Sequence, residues 1–452
     1  MLLSGKSLKH DFIRFVSATM ASQVVFSLYS MVDGLMVSIG VNEYAMSAVN
    51  LAIPFTNALF SIAVLFAVGS STLIAIFIAQ EKRREANALF SQNFATLLTL
   101  GAVITALVLL FLEPFTYLLG ADKITLDYVK QYILGIAPFS VCYLVSYNLE
   151  VLVKTDGYPR YALFTVIGGC LTNCVLDYIA IFHLDMGVFG AAFATVFSQA
   201  VAGIGSLIYI MRHYPELRWN KEEGRISAPH CAKLCAMGLP MGLQCSITAI
   251  GSVVLQGAVN GLGSDIVAAQ TAGGKAAQFL SVPLESIGTA MTTYTSQNMG
   301  AKDLGRVNRG VNTALGIGCV YSVASFLILR VLDKPLIGLF LDAGETAIMA
   351  NAQDFIFWNS VFYIPLAVLI IYRYTIQGLG YSGLAMFAGV AEMVARAMVG
   401  FWFVPLWGYF AACIANPVAW FFACFFLIPA YLVVRKRLQN KKQADAQQAA
   451  RA

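Results

Sequence analysis

Twelve apolar runs dominate this sequence. They fall near 11–39, 46–79, 91–113, 127–155, 159–182, 188–212, 230–260, 267–298, 309–332, 352–379, 383–406 and 409–434. Each approaches or exceeds the ~20 residues that a helix needs to cross ~30 Å of hydrocarbon, and several are long enough to tilt or project beyond it. Water cannot be the solvent for so many of them. Only 12% of the 452 residues are charged and 59% are hydrophobic, whereas soluble domains carry about 25% charged residues. The mean hydropathy of +0.73 points the same way. We therefore expect an all-α integral membrane protein of about twelve transmembrane helices.

The first residues, Met1 to Lys6, lead straight into the first apolar run with no A-x-A-like cleavage site, which predicts a first span that stays in the chain. The nine cysteines are scattered singly without a C-x-x-C or Cys/His cluster. They read as small packing residues, neither a disulfide framework nor a metal site. Basic residues set the orientation. One set of alternate loops holds Lys6 and Lys9, then Lys82 to Arg84, Lys154 with Arg160, Arg212 to Arg225, Lys302 to Arg309, and finally Arg435 to Lys442. The other set holds little beyond Lys123 and Lys334, among acids such as Asp122, Asp342 and Glu345. By the positive-inside rule both termini are cytoplasmic.

The longest polar interruption, His213 to His230, falls near mid-chain, and the two halves repeat at an offset of about 220 residues. Gly157-Tyr158 with Phe164 matches Gly380-Tyr381 with Phe387, and the eight residues from Gly187 match the eight from Gly408. Six spans per half return the chain to its starting side, so the halves share one topology, related by an axis along the membrane normal. The expected organisation is a six-helix lobe over 1–218, a second over 219–438 and a disordered cytoplasmic tail over 439–452. Two such lobes facing a cleft suit a transporter, an arrangement that a channel or membrane enzyme does not need.

Ionisable side chains inside spans cost several kcal/mol and point to function. Asp33 lies on the first span, Glu150 and Lys154 on the fourth, and Asp177 on the fifth, where Asn173 shares its face one turn earlier. Thr195 interrupts the apolar sixth span. Counted from the span ends, Asp33, Asp177 and Thr195 lie roughly 9, 8 and 10 Å below the outer surface. Three helices thus bring oxygen-bearing groups to one level. Two carboxylates at close quarters in a low dielectric cannot both stay ionised without a counter-charge. They can share a proton, bind a hard cation such as Na+ with the Asn and Thr oxygens, or accept a cationic substrate, and they would titrate as a pair. The alternative is a hydrogen-bond cluster that only ties the three helices together.

The second half lacks this set. The repeat puts Arg396 opposite Asn173, Gly400 opposite Asp177 and Asn416 opposite Thr195. Glu392 and Arg396 are spaced i, i+4 and should neutralise each other, and Glu285 with Arg373 is a candidate pair across the lobe. With Gln244 these four form an expected polar network of structural character. Tyr29, Met31, Met36, Phe55 and Met291 are candidates for a deformable apolar substrate cavity. We find no nucleophile–base–orienter set, no nucleic-acid motif and no metal-enzyme spacing.

At these residues the chain resembles the multidrug and toxic compound extrusion (MATE) family. Tyr29-Ser-Met-Val-Asp33-Gly-Leu-Met is similar to the family's first-helix motif. Leu171-Thr-Asn173-Cys-Val-Leu-Asp177 is similar to its fifth helix, and Gly187 to Thr195 to its sixth. Ser296-Gln-Asn-Met-Gly300-Ala with Arg306 looks like the junction of helices eight and nine, and Gln377-Gly-Leu-Gly380 like the exit of helix ten. The first half resembles the branch that includes DNA-damage-inducible transporters. The resemblance implies a secondary-active antiporter of the cell membrane without an organic cofactor, acting as a monomer on small organic substrates. Asp33, Asn173, Asp177 and Thr195 would bind H+ or Na+, and the exported compound would be cationic or amphiphilic. A lipid-linked oligosaccharide flippase of the same superfamily is the second reading. Two departures stand out. Ala18 sits near where the family has a proline in its first helix, and the seventh span, from Gly238 through Gln244, lacks the acidic residue that some members use for sodium.

Overall fold

The computed structural model describes residues 16–451 except 23, 26–28, 30–31, 34–35, 38–39, 42, 120, 122–124, 156–158, 214–227, 302 and 339–345. Met31, the Gly157-Tyr158 pair and some of the loop residues used for orientation, among them Lys6, Lys9, Lys123 and Arg218, lie outside these. Almost everything described is helix, in the order the apolar runs predict. The second to ninth spans are Glu43–Ala79, Arg83–Leu110, Leu126–Thr155, Pro159–Phe182, Gly187–His213, Ala228–Asn260, Ser264–Gly300 and Leu304–Ile337. The tenth is Thr346–Val361 with Tyr363–Gly378, the eleventh Ser382–Trp407, and the twelfth begins at Tyr409. Among the described residues nine helices are long and apolar enough to cross a membrane, and ten if the bent tenth pair is one span. Ser264–Gly300 is not among them, being rich in Gln, Thr, Ser and Gly besides Asp265, Lys275 and Glu285. With that helix and the helical residues between 16 and 40, the count is twelve.

Prolines decide where spans break. Pro138 removes a backbone donor, and the fourth span turns through a 3-10 segment, Ala137–Phe139. The carbonyl of Ala137 instead accepts from Thr105 Oγ1 at 2.7 Å and Ser140 Oγ at 2.8 Å, the local repair that lets a membrane helix bend. The tenth span is bent by 52° between Val361 and Tyr363. Pro365 clashes with the carbonyl four residues back, and Ser322 Oγ donates to the carbonyl of Tyr363 at 3.0 Å beside the break. A π turn, Val399–Phe403, interrupts the eleventh span.

Two compact units account for the chain, one built from Ser17–Gly242 and the other from Leu243 to the C-terminus. The division falls inside the seventh span, not in the polar link near 218. Small residues are the reason: a Cβ on Gly238 would meet the carbonyl oxygen of Leu65 at 1.9 Å, and one on Gly69 that of Leu234 at 2.7 Å. The start of the seventh span therefore packs backbone to backbone against the second. Within the first unit a buried chain of amides, Asn93 Nδ2 to Asn148 Oδ1 (3.0 Å) and Asn148 Nδ2 to Ser70 Oγ (3.2 Å), ties the second, third and fourth spans. The second unit has one large apolar core that includes Ile287, Met291, Ile371 and Leu427. The last helix continues to Arg451, so the tail expected to be disordered is helical. Its Ala, Gln and Lys residues are among the stronger helix formers.

The repeat has a conformational counterpart. Gly187 and Gly408, at the head of the matching sixth and twelfth spans, have φ of +54° and +58°. Both turns need the left-handed region that glycine enters without strain.

Candidate functional site

In the first unit the first and fifth spans place their acids face to face. The carboxyl groups of Asp33 and Asp177 lie within hydrogen-bonding range of each other, a contact that becomes a hydrogen bond only when one carries a proton. Asp177 and Asn173 are fully buried. Among the described residues no donor reaches Asp33 Oδ1 or either Asp177 carboxylate oxygen, and both polar atoms of the Asn173 amide lack partners as well. Five polar atoms of these three residues are thus buried without partners among the described residues, and each orphaned group costs about 1–3 kcal/mol. The donor set is oxygen-rich and anionic, suited to a proton or a hard monovalent cation. Among the described residues, no three His, Cys, Asp or Glu side chains gather as a metal-binding group.

Tyrosines surround the pair. Tyr29 lies close to Asp33, Tyr132 and Tyr143, and Tyr132 is also near Asp177. Thr195 is turned to its own helix: its hydroxyl donates to the carbonyl of Ala191 at 3.0 Å. Asp33 and Asp177 meet, Asn173 lies one helical turn before Asp177, and no direct bond joins Thr195 to them among the described residues.

The apolar cavity candidates separate. Tyr29 lines a cavity inside the first unit. Met36 packs against that unit's apolar core. Phe55 belongs to the core itself, edge-on to Phe115 at 5.5 Å between ring centroids. Met291 is fully buried in the core of the second unit. Helical spacing places an apolar side chain on a face but cannot tell a cavity wall from a packed interior. The sequence reading missed Tyr132, Tyr143 and Tyr147. Their signal was a tyrosine repeated at helical spacing beside Glu150.

The second unit contains a charged network. Arg373 Nη2 donates to Glu392 Oε1, and Arg396 Nη2 donates to Glu392 Oε2 at 3.3 Å. Gln244 Oε1 accepts from Arg373 Nε and Nη1, each at 3.1 Å. Arg396 Nε donates to Asn416 Oδ1 at 3.2 Å, and Asn416 passes the chain to Asn359 at 3.3 Å. Glu285 accepts from the hydroxyl of Tyr374 at 2.9 Å, which gives it a partner other than the one proposed from sequence. Four spans meet in this network, with two guanidinium groups on one carboxylate.

The MatE family model matches this chain twice, over residues 18–179 and 240–402. The chain belongs to the MatE family. The second match starts 222 residues after the first (240 against 18), which restates the internal repeat. MatE proteins are membrane transporters, so the chain is a transporter and not an enzyme. It is 26% identical to the multidrug export protein MepA of Staphylococcus haemolyticus over 47% of each chain. It is 24% identical to an FAD transporter of Shewanella oneidensis over 76% of each chain. Its fold is that of an outward-facing multidrug resistance MATE family transporter of the MOP superfamily, with a TM-score of 0.87, 20% identity and 96% and 97% of the two chains covered.

Proposed function

We propose that this MatE protein is a secondary-active multidrug exporter of the bacterial plasma membrane. Organic cations or amphiphiles leave in exchange for H+ or Na+ bound by the Asp33–Asp177 pair. The observation that carries the reading is the buried meeting of two carboxyl groups, of which Asp33 Oδ1 and both Asp177 oxygens have no donor among the described residues. Two like charges at that separation need a positive charge between them, and a proton or a sodium ion supplies it. Asn173 offers one further oxygen beside them. Losing that ion leaves a charged, desolvated pair, which favours a state that readmits water or accepts a cationic substrate. This is the differential interaction that ion-driven alternation requires. Similarity to MepA supports the multidrug assignment, and the basic residues of alternate loops support cytoplasmic termini. A chain acting as a monomer fits a repeat that already supplies both lobes.

The test is drug resistance in cells that express the transporter. Asp33→Asn and Asp177→Asn should each abolish resistance while the protein still reaches the membrane in normal amount. Undiminished resistance in both variants would remove the pair from the mechanism.

A further inference from the structure

The first unit contains a cavity of about 120 Å³, room for several water molecules. Its walls are more polar than a lipid-bounded core requires, and their spacing is regular. On the fourth span Tyr143, Tyr147, Glu150 and Lys154 follow at steps of four, three and four residues, which is one face of a helix. On the fifth span Val166 and Cys170 line the cavity, and the same steps lead from Cys170 to Asn173 and Asp177. On the first span Ser22 and Tyr29 line it, and Asp33 lies one turn beyond Tyr29. One end of the cavity therefore adjoins the acid pair. Farther along the fourth span the cavity is lined by Glu150 and Lys154, whose Oε1 and Nζ are 2.5 Å apart. Lys154 is the penultimate residue of its helix Ser140–Thr155. On the fifth span the lining reaches Val166, eleven positions before Asp177, so the cavity wall extends roughly 16 Å along that helix from the acid pair.

A largely buried ion pair inside a membrane span is costly to desolvate, and apolar residues of the same size often serve stability as well. The side chains of Lys154 and Glu150 are only 11% and 19% exposed, and the proposed transport chemistry makes no use of them. We propose that Glu150 is the cytoplasmic station of the coupling path. Resting on the cation-coupled reading and taking the proton as the coupling ion, the step is as follows. A proton leaves the Asp33–Asp177 pair, crosses the cavity along water and the hydroxyls of Tyr29, Tyr143 and Tyr147, and binds the Glu150 carboxylate. The neutral carboxyl releases Lys154 and then passes the proton to cytoplasmic water, after which the ion pair re-forms. No electrons move, and each proton lost by the acid pair appears in the cytoplasm. The titratable groups facing Glu150 are Lys154, Tyr143 and Tyr147 on its own span, Tyr29 on the first and Cys170 on the fifth. The sixth span contributes Ser198 and Gln199, which do not titrate in this range. Lys154 holds the Glu150 carboxylate at the cavity wall and is a positioning residue.

The experiment uses the full chain in proteoliposomes with ethidium as the probe. Two rates are measured: net export driven by a pH gradient, and ethidium-for-ethidium exchange at equal pH, which needs no net proton release. Glu150→Gln should lower net export at least tenfold and leave exchange within twofold of the wild type, and Glu150→Asp should restore net export. A variant that lowers both rates alike marks Glu150 as structural and overturns the proposal. So does Glu150→Gln with wild-type net export. Should the wild type show exchange but no pH-driven export, the proton-coupled reading fails first, and the station falls with it.

Discussion

Replacing Glu392 by Gln tests the electrostatics of the second unit more sharply than any other single change. The side chain is 4% exposed and receives both Arg373 and Arg396, which are 9% and 7% exposed. Two positive charges meet one negative charge, so the network has an excess of +1, and Arg396 Nη1 is buried with no acceptor among the described residues. Removing one partner of a buried ion pair costs about 3–5 kcal/mol. The two contacts share one carboxylate, so their losses do not add, and we expect about 3–5 kcal/mol for Glu392→Gln in total. Arg396→Gln should cost much less. It forfeits the bonds to Glu392 and Asn416, about 1.5–3 kcal/mol for a charged hydrogen bond, but it also relieves an orphaned donor worth about 1–3 kcal/mol. It leaves Arg373 and Glu392 as a neutral pair. The double variant should be more stable than Glu392→Gln alone, because one unpaired charge replaces two. The assay is the midpoint of thermal unfolding in detergent, followed by far-ultraviolet circular dichroism at one scan rate, since membrane proteins often unfold irreversibly. A larger loss for Arg396→Gln than for Glu392→Gln, or additive losses in the double variant, would refute the reasoning.

Three further outcomes follow from packing and buried polarity. Gly238→Leu should strongly reduce the yield of folded protein, because its Cβ alone would meet the Leu65 carbonyl at 1.9 Å and backbone cannot yield as a side chain does; overpacking of even one methylene commonly costs 1–3 kcal/mol. Size-exclusion profiles of solubilised membranes report it. Asn148→Leu breaks both links of the Asn93–Asn148–Ser70 chain and should destabilise by about 1–3 kcal/mol, read as a lowered thermal midpoint. Met291→Ala should lower stability by about 2–5 kcal/mol without changing which drugs are exported, since Met291 lies in the packed core; an altered resistance spectrum at normal stability would return it to a cavity wall.

Much of this architecture was legible in the sequence, since lipid imposes a length and polarity on every crossing. The sixth span was expected over 188–212 and is observed at Gly187–His213, and the Gly187/Gly408 match survives as a shared left-handed turn. The bend of the tenth span was less legible, because a proline bends a membrane helix only where neighbouring groups can serve the disturbed backbone, as Ser322 on the ninth span serves the carbonyl of Tyr363 beside the break. Side-chain pairing was legible where it was local and illegible where it was not. Glu392 with Arg396 follows from one helical turn, whereas Arg373 reaching Glu392 and Tyr374 reaching Glu285 depend on how separate helices face each other. The same limit hid the split of the cavity candidates. Phe55 and Tyr29 are equally plausible on a helical wheel, and only the packing of neighbouring spans makes one core and the other cavity wall. Within the site, Asn173 and Asp177 fall on one face of the fifth span by spacing alone, but the common depth of Thr195 did not reveal that its hydroxyl turns back to Ala191.

The central claim is that a cation held by Asp33 and Asp177 drives export. Its most direct test is ethidium export from proteoliposomes with a pH gradient and a sodium gradient imposed separately, for the wild type, Asp33→Asn and Asp177→Asn. The account predicts that at least one gradient drives wild-type export and that neither gradient drives it in either variant. Gradient-driven export that persists in both variants would contradict it.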